Sequence, residues 1–299
     1  MNRITYFLVA GLFWLMSLIP LRLARRIGAL IGVLIWRLPT RARPVIEENL
    51  RLCFPAMPDE DRQRLAKARM QHLGMMFMEL GLVWSADPAK VMQRIAKVSG
   101  REHMDAALGQ GKGVILLAPH IGNWEVVGLY LADNFATTSM FQPPDNPALD
   151  TLIRNARMRS GATLVPTNTS GVKALLRALK RGEVVGVLPD QVPPANSGDF
   201  APFFGIPALT PTMSYNLIQR TGARAVMGYA RRIPNSGDFE MVFLPVDEAI
   251  YSDDQVTSLT ALNRGVEATT NAALEQYQWE YKRFRKQPGG ERKYYRKQR

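Results

Sequence analysis

Hydrophobic positions change their spacing several times along the 299 residues, and each change marks an element. From Ile4 to Leu21 the run ITYFLVAGLFWLMSLIPL carries no charge over 18 residues, close to the length at which an apolar stretch enters a bilayer as a helix. A shorter apolar run follows at 27–38. Residues 59–84 then place apolar side chains at helical spacing, with methionines at 70, 75, 76 and 78; such a face packs a core, and its flexible thioethers also suit an irregular apolar ligand. Beyond residue 112 the pattern becomes short apolar runs at 113–118, 137–141, 162–166, 183–189, 223–229 and 239–245. They are separated mostly by helical segments at 122–133, 147–159, 170–181 and 211–221, and a last helix is expected over 255–275. The alternation predicts an α/β fold with a largely parallel central sheet flanked by helices.

Charge refines this picture because it is unevenly placed. The chain has a net charge of +12, yet residues 22–43 hold six arginines and no acid, and residues 281–299 hold nine Lys/Arg against Glu291, which leaves 44–280 at −3. A nearly neutral body with two basic ends points to a polyanionic surface rather than to a uniformly basic nucleic-acid-binding domain. The arginines follow the first apolar run and no small-x-small cleavage site separates them, so the bias toward cytoplasmic Lys/Arg predicts a membrane anchor with the body on the cytoplasmic side. Pro20 shortens that helix, and Tyr6, Trp14 and Trp36 equally suit an interfacial hairpin. The division expected is 1–43 as an N-terminal membrane-anchoring helix with its basic flank, 44–280 as the α/β domain, and 281–299 as a basic tail, poorly ordered from Gly289. Cys53 is the only cysteine and there are three histidines, so neither an intrachain disulfide nor a thiolate metal cluster is available and no metal is expected.

Candidate chemistry concentrates in LLAPHIGNWE (116–125). An apolar strand ends at Ala118, Pro119 stops the ladder, and His120 is delivered just past the carboxyl edge, where open α/β sheets place their ligands. Five residues of continuous helix rotate by about 500°, so His120 and Glu125 would face apart on one helix. With the helix starting near Gly122 or Asn123, the turn can instead fold His120 back so that Glu125 accepts a hydrogen bond from one ring nitrogen, leaving the other to take a proton from a hydroxyl. No Ser or Cys stands at an obvious nucleophile elbow, which favours direct attack by a substrate hydroxyl.

His120-x4-Glu125 between an apolar strand and a helix resembles the signature of the lysophospholipid acyltransferase superfamily. Together with ENLRLCFP (48–55), FQPPDNPALD (141–150), RMRSG (157–161), RALKRGEVVGVLPDQVPP (177–194), APFFGIPALTP (201–211) and QYQWEYKRFR (276–285), the chain is similar over nearly its whole length to the bacterial lipid A biosynthesis acyltransferases. The resemblance implies transfer of a fatty acyl chain from acyl carrier protein to a hydroxyl on the acyl chains of a lipid A precursor, at the cytoplasmic face of the inner membrane. It implies catalytic roles for His120 and Glu125 and substrate-binding roles for Arg157, with Arg159 beside it, and for Asp190 and, more weakly, Gln191. Asp190 is expected to orient Arg157 or the site. A basic residue often stands in the family where this chain has Gln142. Arg154, Lys173, Arg177 and Lys180 are candidates for meeting phosphate. A thioester donor is already activated, so no cofactor is implied; membrane phospholipid is an expected partner and nucleic acid is not. Two other readings remain open: an acyltransferase acting on another glycolipid or glycerophospholipid, and a non-enzymatic membrane protein whose His120–Glu125 pair is structural.

Overall fold

The computed structural model describes residues 3–290 except 145 and 195, together with 293–295, and side chains from residue 5 onward; the last four residues of the basic tail, with 291 and 292, lie outside the described residues. In chain order the elements are α1 (Arg3–Ser17), α2 (Leu21–Trp36), α3 (Ala42–Cys53), α4 (Asp59–Ser85), α5 (Pro88–Met92), β1 (Ile95–Ser99), α6 (Arg101–Leu108), β2 (Val114–Leu117), α7 (Trp124–Asn134), β3 (Thr137–Phe141), α8 (Pro147–Arg159), β4 (Thr163–Pro166), α9 (Thr169–Lys180), β5 (Val184–Val187), β6 (Gly198–Phe203), β7 (Ile206–Pro211), α10 (Met213–Thr221), β8 (Arg224–Arg232), β9 (Phe239–Leu244) and α11 (Gln255–Ala272). Seven strands form one sheet in the order β1-β9-β8-β2-β5-β3-β4, with every pair parallel except β8–β9. β6 and β7 form a separate antiparallel hairpin.

The sheet is apolar on both faces because both are covered. Ile115 and Leu117 of β2 join a core containing residues of α9, α10, α11 and α3, while Val114 and Leu116 point the other way into a core with α6, α7 and α8. All four are completely buried, the mark of a central strand in a doubly covered parallel sheet. The six strands read from the apolar runs are all present. β1 and the β6–β7 hairpin are additions that the pattern missed. Three of the five β1 residues are exposed, so β1 lacks an apolar run, and the hairpin is broken up by Pro202, Pro207 and Pro211, which suit a two-stranded element with open edges.

The N-terminal run is not one helix. It breaks after Ser17, and Thr5–Ser17 and Leu21–Trp36 meet at a bend of 116°. Among the described residues no single helix is long and apolar enough to cross a membrane. Proline at 20 supplies a fixed φ and no N–H at the start of the second helix, which explains where the chain turns. α2 then lies against α4 at backbone contact: a Cβ on Gly28 would come within 2.5 Å of the Gly74 carbonyl oxygen, so only glycine permits this crossing. Phe7, Leu8, Leu12, Trp14, Leu15 and Leu18 remain at least half exposed on this outer layer. The C-terminal segment is packed rather than loose. Glu280 forks the Arg69 guanidinium through two bonds of 2.7 Å, Arg283 and Phe284 are buried, and Tyr295 donates to Asn49 and accepts from the Phe284 N–H. The tail expected to loosen from Gly289 therefore returns to the core through Tyr295.

Candidate active site

The site is built where two neighbouring parallel strands end together. Leu117 of β2 stands in register with Val187 of β5. Three residues beyond each partner lie His120 and Asp190, so equal offsets past one sheet edge bring the two side chains side by side. His120 Nδ1 donates to Asp190 Oδ1 at 2.7 Å, and the His120 backbone N–H donates to Oδ2 at 2.9 Å. Both residues are buried. Burial alone would raise the Asp190 carboxyl, but His120, through its charge when protonated and its ring and backbone N–H groups, outweighs it and holds the group below the usual carboxylate range.

The loop carrying His120 is held on both sides. The Gln278 N–H donates to the His120 carbonyl, the Gly122 N–H to the Gln276 carbonyl, and the Asn123 N–H to the Ala230 carbonyl. Gly122 has φ +59° and a Cβ there would lie 2.0 Å from the Ala230 oxygen, so glycine is required twice over. Trp124 packs edge-on against the imidazole at 4.8 Å between ring centres. With Nδ1–H directed at Asp190, Nε2 carries the free lone pair. It faces the Gln191 amide at 3.2 Å, and that amide also donates to Gln278 Oε1 at 2.9 Å.

This corrects the pairing expected from sequence. The partner of His120 is Asp190, and among the described residues no hydrogen bond joins His120 to Glu125. Glu125 sits in the first turn of α7 and binds Arg157 of α8 in a fork, Oε1 to Nη2 at 2.5 Å and Oε2 to Nε at 3.0 Å. Its charge and hydrogen bonds overcome the lowering effect of burial and raise the Arg157 guanidinium above its ordinary value. Asp190 thus holds the histidine rather than Arg157, and Glu125 holds the arginine. Glu125 and Arg157 together line an open cavity whose other walls are mostly apolar, among them Trp124, Val127, Leu131, Met140, Leu164 and Val187. Gly128 on the same wall has nothing within 4 Å of where a Cβ would stand.

Arg159 is not part of this group. It is exposed, its Nη2 donates to the Trp84 carbonyl at 2.7 Å, and it borders a different hollow with Tyr6, Trp14 and Met158. Gln142 is exposed and bonds Thr167, while Lys173, Arg177 and Lys180 are exposed along α9.

A second buried network braces the site and was missed entirely. Glu79 of α4, fully buried, accepts from Arg25 Nε at 2.7 Å, from Arg232 Nε and Nη2 at 2.8 Å each, and from Asn123 Nδ2 at 3.0 Å. The one sequence signal was a lone carboxylate inside the apolar stretch MMFMELGLVW (75–84).

A histidine held by a buried carboxylate at a parallel sheet edge can accept a proton at its other ring nitrogen, and the cavity beside it is mostly apolar with a fixed guanidinium in its wall. Comparison with known sequences gives the class its name. The profile of the bacterial lipid A biosynthesis acyltransferases matches residues 1–286, and the chain belongs to that family and is an acyltransferase. It is 30% identical to the lipid A biosynthesis lauroyltransferase of Escherichia coli (strain K12), over 94% of this chain and 91% of that one. It is 26% identical to the palmitoleoyltransferase of the same strain, over 95% and 92% of the two chains, and 26% identical to its myristoyltransferase, over 92% and 85%.

Proposed function

We propose that this acyltransferase moves a fatty acyl chain from the thioester of acyl carrier protein to a hydroxyl on the acyl chains of a lipid A precursor. The observation that carries the reading is the apolar cavity walled by Trp124 and the Glu125–Arg157 fork, directly after the His120 loop, in a chain of this family. Its mostly apolar lining, with Val127, Leu131, Met140, Leu164 and Val187, suits a hydrocarbon chain.

In this mechanism the acceptor hydroxyl displaces the Gln191 amide from His120 Nε2. Its proton passes to Nε2 as its oxygen attacks the thioester carbonyl carbon, while Asp190 keeps Nδ1 protonated and stabilises the imidazolium. Collapse of the tetrahedral intermediate breaks the C–S bond, and the proton on Nε2 goes to the departing thiolate, giving ester and free thiol. The carbonyl oxygen bears negative charge in between. Arg157 is the cation for it: Glu125 fixes Nε and Nη2, and among the described residues Nη1 makes no hydrogen bond to protein.

The exposed apolar side chains of α1 and α2 favour placement of this face in the cytoplasmic leaflet of the inner membrane, with the substrate lipid drawn from the same layer. Mass spectrometry of lipid A from cells with and without the chain tests the assignment. Deletion should remove one secondary acyl chain, and His120→Ala, present at normal membrane level, should not restore it. Unchanged lipid A would move another glycolipid acceptor ahead, and full restoration by His120→Ala would overturn the role of the histidine.

A further inference from the structure

The Glu79 network carries one more guanidinium than it can neutralise. Arg25 and Arg232 share the single carboxylate of Glu79, and all three are buried. Arg25 Nη1 is satisfied by the carbonyls of Ser236 and Asp238 at 2.8 and 3.0 Å and the guanidinium lies over the Phe239 ring at 4.5 Å, whereas its Nη2 is buried without any hydrogen-bond partner among the described residues. The carboxylate of Asp238 is engaged elsewhere, with Ser236 Oγ at 2.6 Å and Arg94 at 3.7 Å. A buried charged donor left unpaired is costly, and such a site gains by taking up an anion.

An anion has a place to sit. Arg25 and Arg232 line an open cavity together with Arg22, Arg26, His72 and Glu275, so four guanidiniums stand around it against the carboxylates of Glu275 and the shared Glu79. Glu275 is half exposed and lies 3.4 Å from His72 Nε2. The cavity also adjoins the first turn of α2, a helix of 16 residues with no acidic residue in that turn and no side-chain cap, whose positive end adds to the attraction. Leu23, Arg26 and Leu30 follow one another along one side of α2, and both leucines are exposed, so the basic hollow opens beside the apolar outer face.

We propose that this cavity binds a phosphate group, presented by a membrane lipid, between Arg22, Arg25, Arg26 and Arg232. The site is distinct from the acyl cavity but wired to the catalytic loop. Arg232 Nη2 donates to the Gly122 carbonyl at 3.2 Å and Glu79 accepts from Asn123, so a bound phosphate shares its guanidinium with the turn that presents His120. The same phosphate chemistry is offered by a lipid headgroup and by the free ion, and the two are separable.

The experiment is a titration of the purified full chain in neutral detergent, following thermal unfolding, with inorganic phosphate, with dihexanoyl phosphatidic acid, and with dihexanoyl phosphatidylcholine as the control lipid. Arg22 and Arg26 are exposed and make no protein hydrogen bonds among the described residues, so the Arg22→Ala/Arg26→Ala protein should fold; Arg37→Ala/Arg41→Ala removes the same charge from exposed positions outside the cavity. Stabilisation by phosphatidic acid, weakened at least about tenfold in apparent affinity in Arg22→Ala/Arg26→Ala but not in Arg37→Ala/Arg41→Ala, supports the site. Preference for phosphatidic acid over inorganic phosphate assigns the lipid source, and equal affinity assigns the free ion. No stabilisation by either phosphate compound, or equal weakening in both double variants, overturns the proposal. The readout is binding and does not depend on any acyl transfer.

Discussion

His120 Nδ1 and Asp190 Oδ1 lie 2.7 Å apart, and the other oxygen of the same carboxylate takes the His120 backbone N–H at 2.9 Å. One side chain therefore fixes both the ring and the main chain of the histidine. A carboxylate one strand away does this more firmly than one five residues along the chain, because β2 and β5 are locked in register while the 120–125 turn must bend to let Glu125 approach. Glu125 is left to orient the cation.

The Glu125–Arg157 fork gives a prediction on stability and activity together. Arg157→Ala leaves Glu125 buried without a counter-charge and should cost about 3 kcal/mol. The Glu125→Gln/Arg157→Gln protein should recover part of that loss and remain about a hundredfold slower in acyl transfer. Thermal unfolding of the single and double variants, with turnover measured on the same preparations, checks both; a double variant with normal turnover contradicts the role given to Arg157.

Chain-length selection should respond to Gly128. Because a Cβ there meets nothing within 4 Å, Gly128→Met extends into the cavity without disturbing α7, and loss of glycine from a helix interior favours the fold by up to about 1 kcal/mol. The enzyme should retain activity but transfer a shorter chain, seen as a lower mass of the acylated lipid. An unchanged product mass would place the acyl chain elsewhere.

Acid stability should depend on Glu240. It stands opposite Arg231 in the β8–β9 ladder and accepts from Arg231, Lys97 and Ser99. Burial opposes ionisation, but these donors prevail and bring its pKa down to about 2. A carboxyl depressed in the folded state stabilises above its ordinary titration range and loses that contribution as pH falls toward 2. The gap in unfolding free energy between wild type and Glu240→Gln should thus be widest near neutrality and close progressively below about pH 4.5. A gap independent of pH would contradict the ion-pair account.

Much of the sheet was legible because its strands are buried on both faces and must be written as continuous apolar runs; Val114–Leu117 and Val184–Val187 could hardly be anything else. His120 and Asp190 were legible as strand-end polar residues for the same reason. Their pairing was not, since it depends on which strands are neighbours, and β5 sits beside β2 only after three crossovers. Sequence proximity favoured Glu125 instead. Arg159 follows Arg157 by two residues, which on a helix directs the side chains about 200° apart, and it accordingly borders a hollow with Tyr6 and Trp14 of α1 rather than the cavity beside Glu125. The ions shared by Glu79, Arg25 and Arg232 come from three distant elements, and no local pattern announces them. Pro20 was a visible sign that the apolar run breaks, but the 116° turn follows from packing of α1 and α2 on α4.

The pairing of His120 with Asp190 is tested by the rate of acyl transfer in the Asp190→Asn protein, using purified enzyme, acyl carrier protein thioester and lipid acceptor at saturation. Asparagine keeps the shape of the side chain but can present its NH2 to Nδ1, which favours the tautomer with Nε2 protonated and unable to accept a proton. With Asp190 fixing the tautomer, kcat should fall by about 10³–10⁴ with little change in KM. A rate within tenfold of wild type would contradict this and return the role of histidine partner to another residue.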